Sequence, residues 1–327
     1  MLPKNDVPKY LQIVNALEQS ISSKATSYGQ KLPSVNKCCL QFHVSRDTVL
    51  LAYETLKKRG IVQSVAGKGY FIKSYKIETQ KRVFVLFDEL NAFKQDLYVS
   101  LVEHLGMQIF VDVYFHHFNY KVFKALIEEA RGNYSCYVIM PSNLKYAPEA
   151  ISKLAMNEVY LLDQTRPIWN KYASVYQDFE KDIFESLFKV KLFLRKYSKI
   201  VLIYPGEKEP IGMVKGFEKF KKTTTTICQV VTAFNEKLLQ HGTVFIVVKD
   251  EDLVELIEAA HIKKFVLKKD YGIISYNDTS LKKIVEKGIT TISTDFKKMG
   301  ETMAQMILQQ QANQVHNPCN IIIRKSL

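Results

Sequence analysis

The chain has 327 residues, 47% of them hydrophobic and 24% charged, with a net charge of +13. That mixture is ordinary for a globular protein that buries a large core, and the length fits two domains. No apolar run approaches the roughly 18–20 residues of a membrane helix, and Met1–Asp6 lacks the apolar stretch of a signal peptide, so a cytoplasmic protein without membrane association is expected.

The charge is uneven. Residues 1–81 hold 13 Lys/Arg against 5 Asp/Glu, a surplus of 8, which leaves a surplus of 5 for the other 246 residues. A concentrated basic excess suits a module that meets a polyanion. The five cysteines, Cys38, Cys39, Cys136, Cys228 and Cys319, are odd in number and fit no metal spacing, so reduced thiols are expected.

In chain order, Val7 to about Lys24 reads as an amphipathic helix, with Leu11, Val14, Leu17 and Ile21 on one stripe and Pro8 in the first turn. Tyr28-Gly29-Gln30 breaks it. Ser34 is placed to cap a short helix through Phe42, and Ser45 a second one that carries Val49, Ala52, Tyr53 and Leu56 on one face and ends near Gly60. Two short helices across a tight turn make a helix-turn-helix. The period then changes to two. Ile61–Val65 and Tyr70–Ile72 read as strands around the glycine-rich turn Ala66-Gly67-Lys68-Gly69, a wing.

The span from Pro8 to Lys73 resembles the winged-helix domain of the GntR family. The resemblance rests on Pro8-Lys9-Tyr10-Leu11-Gln12-Ile13, Leu32-Pro33-Ser34, Val44-Ser45-Arg46-Asp47-Thr48-Val49 and Gly67-Lys68-Gly69-Tyr70-Phe71, in that order and spacing. It implies that Ser34, Ser45 and Thr48 meet phosphates at helix N-termini. Arg46 would read guanine in the major groove. Lys68, with the backbone of Gly67 and Gly69, would lie at the minor groove or its phosphates. Leu50 stands where many members carry an arginine, which shifts base reading toward Arg46 and the wing.

Residues 1–75 are thus expected to form the DNA-binding domain, 76–81 a polar linker, and 82–327 a sensing and dimerisation domain. In that last part, apolar strands alternate with helices. Strands are expected at 83–87, 110–115, 136–140, 159–162, 199–204, 243–248 and 272–276. Helices are expected at 93–106, 121–131, 178–196, 211–221, 250–260 and 279–286. This alternation predicts parallel sheets covered on both faces. The strands run into polar residues: Asp88-Glu89, Pro141-Ser142-Asn143, Asp163-Gln164-Thr165, Gln177-Asp178, Lys249-Asp250 and Asn277-Asp278. Ligands in such sheets bind beyond the strand carboxyl ends, so these loops are expected to line one cleft.

Residues 82–327 resemble the effector domain of lac-repressor-like proteins and periplasmic sugar-binding proteins. The matching residues are Gly212-Met213-Val214-Lys215-Gly216-Phe217, Gly272–Asp278, Ile289–Phe296 and Met299-Gly300. The resemblance implies two lobes joined by three crossings, near Lys196, near Gly288 and in the C-terminal tail. It also implies a sugar-like effector between the lobes. Asp250 and Asn277 are the foremost ligand candidates, with Asp88, Asp163 and Asp178 beside them. Trp169 is either a stacking platform or core, and Asp250 either a ligand residue or a helix cap. Met213 stands where many members have arginine, a departure from the usual hexose site.

No Gly-x-Ser-x-Gly, His-Glu-x-x-His or Walker sequence occurs, nor the length for a fused aminotransferase. The adjacent pair His116-His117 follows a strand and points two ways, so no metal, no cofactor and no catalysis are expected. The expectation is an α/β chain: an N-terminal winged helix-turn-helix and a two-lobed periplasmic-binding-protein-like domain. As a homodimer it would bind a double-stranded operator under control of a polar metabolite, a monosaccharide first. A ligand-binding protein that does not use DNA, and a bifunctional enzyme-regulator, are the alternatives.

Overall fold

The computed structural model describes residues 8–22, 29–73, 81–164, 166–206 and 208–327. Val7, Lys24 and Tyr28 at the bounds of the first expected helix, linker residues 76–80 and Thr165 lie outside these. The chain divides into two compact units. One holds residues 1–84 with 107–112 and 129–136, the other 85–106, 113–128 and 137–327. Among the described residues no helix is long and apolar enough to cross a membrane.

The first unit begins with α1 (Lys9–Ser22), α2 (Val35–Phe42), α3 (Arg46–Lys58), β1 (Val62–Val65) and β2 (Gly69–Ile72). Ile13, Val14 and Ile21 of α1 bury against Cys38 of α2, Val49, Ala52, Tyr53 and Leu56 of α3 and Ile61, Val62 and Ile72 of the hairpin. The apolar spacing that makes each helix amphipathic therefore also makes the core. Residues 29–32 lay a third extended segment on β2, through Gly29 N to Ile72 O at 3.0 Å and Leu32 N to Tyr70 O at 2.9 Å. Tyr53 closes the core by donating its hydroxyl to Pro33 O at 2.7 Å. Arg59, just after α3, donates to Glu18 at 2.7 Å and to Gly132 O at 2.7 Å, so residues 129–136 are tied to the helical module.

The chain continues through β3 (Arg82–Phe87), α4 (Ala92–Leu105), β4 (Phe110–Phe115), α5 (Tyr120–Ala130), β5 (Cys136–Ile139), α6 (Ala147–Ile151), β6 (Val159–Gln164) and β7 (Ala173–Gln177). Next come α7 (Phe179–Lys189), α8 (Lys191–Leu194), β8 (Lys199–Ile203), α9 (Gly212–Lys221), β9 (Ile227–Val231), β10 (Thr243–Val247) and α10 (Asp250–Ile262). The last elements are β11 (Tyr271–Tyr276), β12 (Thr290–Thr294), α11 (Phe296–Gln309), β13 (Gln314–His316) and β14 (Cys319–Ile322). Two six-stranded sheets result, in the orders β13-β7-β6-β5-β3-β4 and β14-β12-β11-β10-β8-β9. Strands β8 to β12 pair in parallel, and β14 returns antiparallel on β12. Each sheet is the centre of one lobe.

Two expectations need correction. Residues 279–286 are not a helix. They form two short 3-10 turns, 281–283 and 285–287, broken by Glu286 in left-handed conformation at φ 50°. The buried Lys282 is the reason: its ammonium donates to Tyr276 O and Asn277 O, both at 2.9 Å, and ties the segment to the end of β11. The crossings near Lys196 and Gly288 also lie elsewhere. Helix α7 already belongs to the second lobe, where it packs on α9, and α11 packs on α4 of the first. The chain thus crosses at Gln177-Asp178, at Asp295 and at Asn317-Pro318.

These three crossings are knotted together by Asn317, which is 1% exposed. Its amide N–H donates to Tyr176 O at 2.8 Å. Its side-chain Nδ2 donates to Thr294 Oγ1 and Asp295 O, both at 2.9 Å. Asp295 N in turn donates to Pro318 O at 2.9 Å. Next to it His316 Nε2 of the first lobe lies 3.0 Å from Asp182 Oδ1 of the second.

Glycine sets the closest helix approaches. A Cβ on Gly300 of α11 would stand 2.4 Å from Leu97 O of α4, and one on Gly216 of α9 would stand 2.4 Å from Glu180 O of α7. Gly300→Ala should lower stability by about 1–3 kcal/mol, because overpacking against backbone outweighs a helix-propensity gain of about 1 kcal/mol. Urea unfolding checks it, and a more stable Ala variant would refute the close approach. Asn317→Ala should cost about 2 kcal/mol through the two side-chain bonds lost at a buried site; the same measurement reads it, and no loss would refute the clasp.

Candidate functional site

Two sets of predicted residues gather at separate places. On the first unit, Ser34 caps α2 by accepting from Lys37 N at 3.2 Å. Ser45 caps α3 by accepting from Thr48 N at 3.4 Å, and its hydroxyl lies 2.8 Å from that of Thr48. Both serines are exposed and hold the extended backbone of an N-cap. Arg46 opens α3, is exposed, and makes no hydrogen bond or ion pair among the described residues. The wing turns at 66–68 between Val65 and Gly69, with Gly67 at φ 71° and Gly69 at φ 104°, conformations that favour glycine. Lys68 is exposed at the tip. The face carries an acid as well, Asp47, beside Arg46 in the first turn of α3.

On the second unit the strand ends converge. Asp88, at the end of β3, is 4% exposed and pairs with the buried ammonium of Lys94. It also accepts from Ser142 Oγ at 2.9 Å and Glu89 N at 2.7 Å. Such a pair is tolerable in a desolvated place because every partner is met. Asp163, at the end of β6, sits near this pair. Burial first, and then the Asp88 charge, push its carboxyl up from 3.8 to about 6. Gln177 Nε2 donates to Asp163 at 2.5 Å, while Gln177 Oε1 accepts from Tyr276 Oη at 3.1 Å. A chain Asp163–Gln177–Tyr276 therefore joins the first lobe to the second.

In the second lobe the Glu209 carboxyl is raised above its ordinary value, by burial first and also by the Glu89 and Asp163 charges. The lobes meet here: Asn143 Nδ2 donates to the carbonyls of Lys208 and Glu209, each at 3.3 Å, and Lys208 lies over the Phe118 ring at 4.9 Å. Arg166 braces Asn143 with a 2.8 Å bond. Ser142, Asp163 and Asn277 all adopt left-handed backbones, with φ of 47°, 77° and 59°. Strained conformations at three strand ends belong to a site that over-determines them. The side-chain carbonyl oxygen of Asn277 is buried and meets no hydrogen-bond partner among the described residues.

The other predicted ligand residues fall differently. Asp178 caps α7 by accepting from Lys181 N at 3.1 Å. Asp250 opens α10, mostly exposed, and pairs with Lys282 at 2.7 Å. Trp169 is 2% exposed and its carbonyl accepts from Gln314 Nε2 at 3.3 Å. Gln314 pairs with Ser174 at the amino end of β7, so Trp169 is core at the opposite end of the sheet from the cleft, not a stacking platform. Sequence reasoning placed Gln177 among the cleft loops and Tyr276 in a matching stretch without giving either a task, and it missed Lys94, Glu209 and Lys282. Lys94 and Lys282 look like surface lysines in the sequence, and nothing local marks them as buried.

Residues 9–72 match bacterial regulatory proteins of the gntR family, and residues 215–327 match the periplasmic binding protein-like domain. The uncharacterized HTH-type transcriptional regulator YydK of Bacillus subtilis is 30% identical over 89 residues, 27% of this chain and 36% of its own length. The regulator YhcF of the same organism is 31% identical over 100 residues, 31% of this chain and 79% of its own. The chain thus spans only about a third of YydK. Among solved structures, a LacI family transcriptional regulator from Silicibacter pomeroyi superposes with TM-score 0.64 at 14% identity, covering 75% of this chain and 98% of that one. A LacI family regulator from Enterococcus faecium with bound ribose gives 0.60 at 16%, covering 75% and 98%. The chain belongs to the gntR family of bacterial regulatory proteins and couples that family's winged-helix module to a periplasmic-binding-protein-like, LacI-type domain.

Proposed function

We propose that the chain is a transcription regulator that binds a double-stranded DNA operator through its winged helix and is controlled by a polar metabolite bound between the two lobes. The observation that carries the first half is Arg46: an exposed guanidinium at the N-terminus of α3, unpaired among the described residues and directly after the capping Ser45. A planar fork held there fits guanine O6 and N7, while the N-termini of α2 and α3 offer N–H groups to phosphates on either side. Ser34, Ser45 and Thr48 serve as phosphate contacts, and Gly67, Lys68 and Gly69 as the wing contact.

In the sensor, Asp88, Asp163 and Asn277 hold the effector, Asp178 and Asp250 border it, and a monosaccharide or related polyol is the first candidate. The ribose bound to the Enterococcus faecium neighbour supports that class. The protein works in the cytoplasm and performs no catalysis.

A homodimer would give the operator two-fold symmetry. Support comes from α10. It runs beside the turns at 281–287, tied by Asp250 to Lys282 at one end and by His261 to Glu286 at 2.8 Å at the other. Val254, Ile262, Leu281 and Ile284 on these two elements are all more than half exposed. An apolar face of that kind suits a second copy of the chain.

Duplexes selected from a random pool test the reading by fluorescence anisotropy. The selected duplex should bind with an affinity that falls linearly in log–log with salt. Arg46→Ala should weaken it by about tenfold or more, the 1–3 kcal/mol of a bidentate base contact, without changing thermal unfolding. Failure to enrich any sequence, or an Arg46→Ala protein that selects the same duplex equally well, would defeat the proposal. Leu281→Asp with Ile284→Asp should convert a dimer to monomers in sedimentation velocity, and unchanged mass would refute that face.

A further inference from the structure

The winged-helix module is joined to the rest of the chain twice. One join is the chain that follows β2. The other is a contact with the segment 129–136, which falls in the same compact unit. On the module side the contact uses α1 and the residue after α3. Leu11 is 9% exposed, and its side chain ends on Gly132, where a Cβ would stand 2.4 Å from Leu11 Cδ1 and 2.9 Å from Cδ2. Tyr10 Oη donates to Arg131 O at 3.5 Å. Arg59 spans both sides, donating to Glu18 Oε1 and to Gly132 O, each at 2.7 Å. The Arg59–Glu18 side chains are only 24% and 17% exposed, so the pair is screened less than one in open water.

The facing segment is itself fixed. Ser135 N donates to Arg82 O at 2.8 Å, the Arg82 guanidinium lies 5.0 Å from the Tyr134 ring centre, and Tyr134 meets Phe84 edge-on at 5.2 Å. Asn133 Nδ2 closes the turn on Glu129 O at 2.9 Å. Gly132 takes φ 78° there, a conformation that favours glycine. The turn thus needs glycine twice, for its own backbone and for the room Leu11 fills. The contact also lies away from the reading residue. Helix α3 has 13 residues, about 20 Å of helix, with Arg46 at one end and Arg59 just past the other.

Seven residues separate Lys73 from Lys81. A module held by a connection of that length alone would range over roughly 25 Å. The same short connection keeps Leu11 near Gly132 at an effective concentration in the millimolar range, so a contact of this modest size is enough to stay closed. On the reading of the chain as a homodimer on a two-fold operator, we propose that this contact is a clamp that sets the separation of the two winged helices. Leu11, Arg59 and Gly132 then determine which half-site spacing is accepted. They act through the placement of Arg46 and touch no base. Clamped modules engage two half-sites together only where the spacing matches, and the gain from the second half-site is lost elsewhere.

The selected duplex is rebuilt with one to five base pairs inserted between its half-sites, beside a duplex carrying a single half-site. Fluorescence anisotropy compares the full chain with Leu11→Glu and with Gly132→Glu. These variants put a charge into the contact from opposite sides, and Gly132→Glu leaves every residue of the module unchanged. Inserting half a helical turn should cost the parent on the order of a hundredfold in affinity. Both variants should bind the single half-site like the parent, bind the selected spacing about tenfold more weakly, and change by less than about threefold across the insertions. Variants that keep the sharp preference, or a parent indifferent to spacing, overturn the clamp and leave the operator reading intact. So does a Gly132→Glu protein that has lost the single half-site, because the contact would then build the module instead of placing it. A single half-site bound as tightly as the full duplex overturns the pairing of modules and the clamp with it. A pool that yields no preferred duplex overturns the operator reading as well.

A second readout needs no DNA. The module engages the carbonyls of Arg131 and Gly132, which shields the peptide bond between them. An arginine-specific protease should cut there several times faster in Leu11→Glu, whose cleavage site is unchanged, than in the parent. Equal rates overturn the clamp.

Discussion

The two lobes are one machine because three chain crossings share a single buried side chain. Asn317 binds the backbone at Tyr176, the Thr294 hydroxyl and the Asp295 carbonyl, and so touches every segment that passes between the lobes. Three strands of chain crossing independently would let the lobes twist, slide and open. Crossings fastened at one point leave rotation about that point as the soft motion, which is what a hinge is. The bond from His316 to Asp182 lies beside it, again between lobes. Everything farther from this knot moves farther when the hinge turns, including the cleft mouth, where Asn143 meets the carbonyls of Lys208 and Glu209.

The cleft mouth is held by few and weak contacts. The mouth contacts are two long hydrogen bonds and a cation over a ring, each worth little in water. Glu209 of the second lobe feels the like charges of Glu89 and Asp163 of the first, a cost of holding the lobes together. The strained backbones of Ser142, Asp163 and Asn277 add to that cost. A ligand moves a two-state equilibrium only by its difference in affinity between the states.

Much of this was legible in the sequence, for reasons that can be named. Ser34 and Ser45 announced their helices because a cap is a local device. The wing announced itself through Gly67 and Gly69, which the tight turn requires. The sheets were readable because doubly covered parallel strands must be apolar throughout. What could not be read depends on distant partners. Helix α11 and the short strands β13 and β14 went unassigned because their places follow from where the chain crosses. The crossings were misplaced because the sequence marks a helix end at Lys196 but not that α7 has already changed lobes. Residues 279–286 have helical spacing, and only the buried ammonium of Lys282 overrules it. Trp169 was ambiguous because size alone does not say which end of a sheet a side chain fills.

The motif glycines teach the same lesson from the other side. Gly216 and Gly300 were noticed as parts of a resemblance, with no stated task. In the structure each is the point where one helix rests on the backbone of another, α9 on α7 and α11 on α4. The second of these matters for coupling. Helix α11 leaves the second lobe at Asp295 and immediately docks on α4 of the first, and α4 carries Lys94, the partner of Asp88 in the cleft. Ser100 of α4 further anchors the pair by donating to Lys297 O at 2.7 Å. The hinge crossing, the helix pair and the floor of the cleft are therefore one packed path. Packed helices of this kind shift as units rather than deform, so the α4–α11 pair and the Lys94–Asp88 ion pair it carries are bound to move with the hinge crossing at Asp295.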